Sequence, residues 1–221
     1  MDIEIFETPI TYKNDFHFMK PMFVSWCSDL ISPKTYVEVG TWKMGTFEYM
    51  NSKLPLTVKM VGFDLFEDAP IEEIAPEKRG LSYNESLDMV RRWDREVVLV
   101  KGDTVETLSD KWLSDLLSPV VVYLDGGHSY ETVKSDFWNL YEKLDSGLII
   151  LDDWVDPTVL GKGLNKYNHI YSFDPNANFL FRDSTWKLAE ELHQDVSIDV
   201  KYVFDIFNMG SELECLGVVV I

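Results

Sequence analysis

Short apolar runs alternate along the chain with longer stretches in which apolar residues recur three and four positions apart. The pattern predicts strands over 35–39, 58–63, 97–100, 120–124 and 148–151; the wholly apolar runs at 120–124 and 148–151 suit strands buried on both faces. Between them the spacing predicts helices over 19–31, 46–54, 82–93, 105–117 and 130–144. The helix at 130–144 is the clearest: Val133, Phe137, Leu140, Tyr141 and Leu144 share one face, and Glu131, Lys134, Asp136 and Glu142 fall largely elsewhere. Leu87, Val90 and, less regularly, Trp93 mark the buried side of 82–93. A short helix through 186–192 and two strands at 198–204 and 215–221, joined as a hairpin, complete the series. Strand alternating with helix is the βαβ pattern, so the expected architecture is α/β: a Rossmann-like, doubly wound, mostly parallel sheet with an antiparallel C-terminal strand.

Two of the apolar runs end in acid. The strand at 120–124 runs into Asp125-Gly126-Gly127-His128, and the strand at 148–151 into Asp152-Asp153-Trp154. Ligands of open α/β sheets bind at the carboxyl ends of the strands. Carboxylates converging there repel one another unless a cation, a proton or a hydrogen-bond donor compensates, which makes a divalent metal the first hypothesis. The alternative is that one of them caps a helix and the others are solvated.

Composition narrows the field. A chain of 221 residues with 46% hydrophobic residues suits one domain, 1–221, with a sizeable core. Lys and Arg number 20 against 38 Asp and Glu, a formal net charge of -18 that disfavours nucleic acid and anionic membranes as partners. No apolar run reaches bilayer length, and the opening residues Met1-Asp2-Ile3-Glu4 lack the basic start of a signal peptide, so a cytoplasmic protein is expected. Cys27 and Cys215 stand far apart without a CxxC pair or a Cys/His cluster, and both are expected to be reduced core residues.

The first strand leads into Glu38-Val39-Gly40-Thr41-Trp42-Lys43-Met44-Gly45-Thr46, a glycine turn followed by a helix start, which places backbone N–H groups beside a small ligand. The dinucleotide fingerprint G-x-G-x-x-G is absent, since no glycine lies between Gly40 and Gly45. On Glu38-Val39-Gly40-Thr41-Trp42 with Gly45, the chain resembles the class I S-adenosylmethionine-dependent methyltransferases. With Asp64-Leu65-Phe66-Glu67, Asp125-Gly126 and Asp152-Asp153 added, it looks like the branch that includes the macrocin-type sugar O-methyltransferases. The resemblance covers residues 35–154. It departs from the pattern at Met44, where many relatives carry a glycine, so a looser or longer turn is expected.

The resemblance implies S-adenosylmethionine as cofactor, held by Glu38, Gly40, Thr41, Asp64, Leu65, Asp103, Thr104 and Asp125. Asp64 would accept from the two ribose hydroxyls, a task suited to an acceptor-only group. Asp103 and Thr104 would face the adenine edge, although an Asp at this place also suits an N-cap for the helix that follows. The resemblance also implies a Mg²⁺ site at Asp125, Asp152 and Asp153, where a hard cation could orient two substrate oxygens and lower the pKa of a hydroxyl. His128 stands where related catechol O-methyltransferases carry a lysine base, so His128 and Asp125 are the catalytic candidates. Trp42 and Trp154 are candidate pocket residues, whereas Trp26, Trp112 and Trp138 suit the core. The reading is methyl transfer to the hydroxyl of a small molecule with metal assistance. A metal-independent methyltransferase and a non-catalytic binding protein of the same fold are its competitors. The acceptor's identity and any homo-oligomer are left open, and the loops at 67–80 and 157–175 are the expected substrate contacts.

Overall fold

The computed structural model describes residues 16–68, 80–108, 110–127, 129–152, 185–195, 197–205 and 215–221. His128, Asp153, Trp154, the loop at 157–175 and most of the loop at 67–80 therefore lie outside the described residues.

Seven strands form one sheet in the order β3-β2-β1-β4-β5-β7-β6. Strands β1 (Thr35–Val39), β2 (Lys59–Asp64), β3 (Val97–Lys101), β4 (Val120–Leu124) and β5 (Gly147–Leu151) are parallel. The last two, β6 (Asp199–Asp205) and β7 (Cys215–Val220), pair antiparallel with each other, and β7 runs antiparallel to β5. This is the Rossmann-like architecture expected from the strand and helix pattern. Its central strands β1, β4 and β5 are buried at every position, which is why they read as continuous apolar runs rather than alternating ones.

Helices α1 (Phe16–Ile31), α2 (Gly45–Lys53) and α3 (Tyr83–Val90) supply Phe23, Val24, Cys27, Phe47, Met50 and Val90 to one face of the sheet, against Tyr36, Met60, Tyr123, Leu148 and Ile150. On the other face α6 (Tyr130–Tyr141) and α7 (Thr185–Gln194) pack Val133, Phe137, Leu140, Leu188 and Leu192 onto Val37, Val122, Leu124, Ile149 and Leu151. Successive strand residues point to opposite faces, so Tyr36 and Glu38, Tyr123 and Asp125, and Ile150 and Asp152 all share the α1 side.

Three elements differ from expectation. The helix expected over 105–117 is two short turns, α4 (Thr104–Thr107) and α5 (Asp110–Leu113), because Leu108 leaves helical geometry at ψ 60° and its side chain is buried. Helix α3 stops at Val90, three residues early, and starts at a capping box between Ser82 and Glu85. Asp136, assigned to the polar side of its helix, is fully buried: Oδ2 accepts from the Thr104 hydroxyl at 2.9 Å, while Oδ1 has no partner among the described residues. Burial pushes its carboxyl up to about 7. The tryptophans Trp26, Trp112 and Trp138 are partly buried against the core, as expected, and Cys27 is a buried free thiol.

Candidate active site at the carboxyl edge of the sheet

Gly40 closes β1 with φ +87°, and an added Cβ would lie 2.0 Å from the Asp125 carbonyl oxygen. Only glycine fits, for the conformation and for the contact alike. Around it, the Gly40 N–H donates to Phe63 O at 2.8 Å and the Asp125 N–H to Val39 O at 2.9 Å, so the ends of β2, β1 and β4 are knitted together just beyond the ladder. Met44 does not loosen the turn. It takes the left-handed conformation of the expected glycine, φ +64°, closes a turn by donating to Thr41 O at 2.6 Å, and buries its side chain completely. The left-handed backbone costs about 1–2 kcal/mol, a price the buried thioether offsets.

Met44 offers no side-chain cap to α2. The acid Glu38 does so from the strand: its buried carboxyl accepts from the Phe47 N–H and from the Tyr36 hydroxyl, the latter at 2.6 Å. Burial first, and the nearby Asp64 carboxylate after it, push Glu38 up to about 8 against the opposing pull of those two donors. Glu38 thus shapes the turn from beneath.

Asp64, the last residue of β2, is half-buried and well supplied with donors. Its Oδ2 accepts from the Trp42 N–H at 2.7 Å and from the Thr41 hydroxyl at 3.3 Å, and its Oδ1 from the Phe66 N–H at 2.6 Å. The acid therefore ties the Gly40 turn to the residues after β2 while keeping one lone-pair site to spare. Leu65 is half-buried, and Phe66 is buried with its ring edge-on to Tyr83, centroids 5.2 Å apart. Trp42, 52% exposed, stands at the rim with the Lys43 ammonium over its ring.

At the end of β3, Gly102 donates to Asp64 O at 3.0 Å. Asp103 is the N-cap of α4, its Oδ1 accepting from the Val105 N–H at 3.0 Å, and Thr104 reaches Asp136. Both residues stand at the same carboxyl edge of the sheet, each already engaged.

At the end of β4, Asp125 is half-buried and its Oδ2 accepts from the Tyr123 hydroxyl at 3.3 Å. Tyr123 is buried beneath it, and that burial, with the charges of Asp125, Asp152 and Glu38, holds its phenol well above its ordinary range. Asp152 continues the edge, with its N–H donating to Leu124 O at 3.0 Å. Its carboxylate is 3% exposed and its Oδ2 lies 2.6 Å from the ammonium of Lys20, on α1. Its Oδ1 is buried with no partner among the described residues.

The expected Mg²⁺ site comprised Asp125, Asp152 and Asp153. Two of the three are described, and the structure brings both to the same edge, but one of them already holds a cation. No cluster of three or more His, Cys, Asp or Glu that could hold a metal ion occurs among the described residues. A divalent ion on Asp152 would sit against the ammonium, so the described donor set does not fit one. The residues around Asp64 do fit an uncharged, hydroxyl-bearing ligand: an acceptor-only carboxylate beside a turn pressed close to β4.

Lys20 was not singled out in the sequence. The signal available was its spacing: Lys20 precedes Phe23, Val24 and Cys27 by three, four and seven positions, the stripe of α1 that faces the sheet. Glu38 as a cap and Asp136 as a buried acid were missed for a similar reason, since each depends on a partner from another element.

Comparison with known proteins bears on the fold. No family model matches the chain, and no curated protein matches it. Among solved structures, it is similar to a putative O-methyltransferase from Klebsiella pneumoniae at 14% identity, covering 96% of this chain and 83% of that one with a TM-score of 0.62. A putative caffeoyl-CoA O-methyltransferase from Staphylococcus aureus matches at 13% identity over 97% of this chain and 86% of that one, TM-score 0.63. An O-methyltransferase from Bacillus cereus in complex with SAH matches at 14% identity over 91% and 80%, TM-score 0.59. At such identities the likeness establishes a Rossmann-like methyltransferase fold.

Proposed function

We propose that this chain is an S-adenosylmethionine-dependent methyltransferase that acts on a hydroxyl of a small molecule. The observation that carries the reading is the meeting, at one sheet edge, of the Gly40 turn and the Asp64 carboxylate, with Asp125 and Asp152 next to them on β4 and β5. An O-methyltransferase that binds SAH shares the fold.

When bound, the cofactor supplies a sulfonium methyl group already activated for displacement. The protein's task is then to align the acceptor oxygen with that carbon and to take up the hydroxyl proton. Asp64 receives the ribose hydroxyls on its one remaining lone-pair site and in place of the long Thr41 contact, with the Trp42 and Phe66 N–H groups fixing its orientation. Thr41 and Leu65 flank it, Glu38 holds the turn from below, and Asp103 with Thr104 borders the adenine. Asp125 stands between cofactor and acceptor, and His128, three residues further, is the proposed proton acceptor, imidazole being the side chain most often used as a base near neutral pH. Transfer balances: the acceptor oxygen forms a bond to the methyl carbon, the carbon–sulfur bond breaks to leave a neutral thioether, and the hydroxyl proton passes to the imidazole. No step is routed through a metal, because Lys20 sits on Asp152.

Calorimetry with S-adenosylhomocysteine tests the reading. Binding to the native protein, abolished or weakened in Asp64→Ala, is expected, and a native protein that binds none overturns it. Methyl transfer to any member of a panel of hydroxylated acceptors separates an enzyme from a binding protein of the same fold.

A further inference from the structure

Helix α1 brings a charged residue to a place where its stripe is otherwise apolar. Phe23, Val24 and Cys27 are buried against the sheet, and one turn before them Lys20 reaches the strand ends. Its ammonium lies 2.6 Å from Asp152 Oδ2, with the lysine side chain 20% exposed and the aspartate 3%. The pair is roofed over the buried Tyr123, whose hydroxyl serves Asp125. A carboxylate so enclosed requires a cation or a proton, and the chain supplies the cation itself. The second oxygen of Asp152 is buried and makes no close hydrogen bond among the described residues, and the Tyr123 hydroxyl lies beside this carboxylate as well as Asp125.

We propose that Lys20 is the resident cation of the acceptor side, a positioning residue whose ammonium, held on Asp152, occupies the place a divalent metal ion would need. This rests on the methyltransferase reading for its meaning, because the edge in question is then the acceptor's. The consequence for substrate class is that the acceptor hydroxyl meets a singly charged, hydrogen-bonding ammonium. Chelation of two adjacent oxygens by a metal is not required, so a vicinal diol such as a catechol has no advantage over a single hydroxyl.

Manganese titration followed by electron paramagnetic resonance tests this without any acceptor. The native protein, Asp152→Asn, Lys20→Arg, Lys20→Met and Lys20→Met/Asp152→Asn are titrated, each with and without S-adenosylhomocysteine. The native protein, Asp152→Asn and Lys20→Arg are expected to show only the same weak binding to the acidic surface. Lys20→Met is expected to gain one site at least about 100-fold tighter, as removal of a like charge a few ångströms away implies, and the double variant to lose it. A native protein that binds one equivalent of Mn²⁺ lost in Asp152→Asn overturns the proposal, as does a Lys20→Met protein with native circular dichroism and no new site. If Lys20→Met does not fold, the native and Asp152→Asn titrations still decide: matching weak binding supports the proposal and a site confined to the native protein overturns it. Failure of S-adenosylhomocysteine to bind would overturn the methyltransferase reading alone and leave the manganese result standing.

Discussion

Asp64 and Asp152 both close strands at the same edge of the sheet, yet they are satisfied in different ways. Asp64 takes its donors from the Phe66 N–H two residues on and from the Trp42 N–H and Thr41 hydroxyl of the Gly40 turn, 22 and 23 positions earlier. Asp152 takes a lysine ammonium from a helix 132 positions earlier. The first arrangement joins two neighbouring strand ends, is uncharged on the donor side and leaves room for a neutral ligand's hydroxyl. The second is long-range and places a full positive charge where the acceptor would bind. The difference shows that acids in equivalent places on one edge can serve unlike chemistry, and that donor type, more than acid position, distinguishes them.

The comparison can be broken most forcibly at Gly40, where both sides meet. Gly40→Ala introduces a Cβ into the Asp125 carbonyl and a left-handed alanine, and is expected to lower stability by about 3–5 kcal/mol in urea unfolding. A change below 1 kcal/mol would mean that the two loops are not locked together. Lys20→Met is expected to cost about 2–3 kcal/mol, less than a wholly buried pair would because the lysine is partly exposed, and Lys20→Met/Asp152→Asn to recover part of that loss. Additive losses in this double-mutant cycle would show that the two residues do not act as a pair. By contrast Asp64→Asn should cost only about 1–2 kcal/mol, since one amide hydrogen then faces a backbone donor, while S-adenosylhomocysteine affinity falls more than the stability does.

Acidity distinguishes the layer beneath. Glu38 is pushed up to about 8 and Asp136 to about 7, both above their unfolded values, so the native protein holds more protons than the unfolded chain between those limits. Their contribution is fully present below about pH 4 and is lost as pH rises through 7 and 8, with a slope of at most roughly 1.4 kcal/mol per pH unit for each group. Thermal midpoints should therefore fall from pH 5 to pH 8, and less steeply in Glu38→Gln. Carboxylates held below their ordinary range, such as Glu67 beside Lys101, act with the opposite sign only at lower pH. An unchanged slope in Glu38→Gln would remove Glu38 from the account. The smallest effect is expected at Asp103→Ala, about 0.5–1 kcal/mol for one exposed cap.

What was legible in the sequence follows the same division. Strands β1, β4 and β5 were readable because both faces are buried, and Gly40, Asp64, Asp125 and Asp152 because each sits where an apolar run stops. Features set by contacts between distant elements were not. The pairing of Asp152 with Lys20 depends on how α1 crosses the sheet, the burial of Asp136 on Thr104, and the division of 105–117 on the descent of Leu108 into the core. Met44 belongs to both classes: its departure from the glycine pattern was visible, but its retention of the left-handed turn required the cavity that its side chain fills.

The segment between β2 and α3 is fastened at both of its roots. Glu67 accepts from the Tyr83 N–H and from Lys101, Asp68 also pairs with Lys101, and the Leu81 N–H returns to Trp42 O beside the capping box at Ser82. What enters and leaves there is thus fixed independently of the residues between. For protein engineering this is a grafting port beside the carboxyl edge of the sheet: exchanged or lengthened segments should leave Asp64 in register, at a closure penalty of only about 0.6 kcal/mol for each doubling of length.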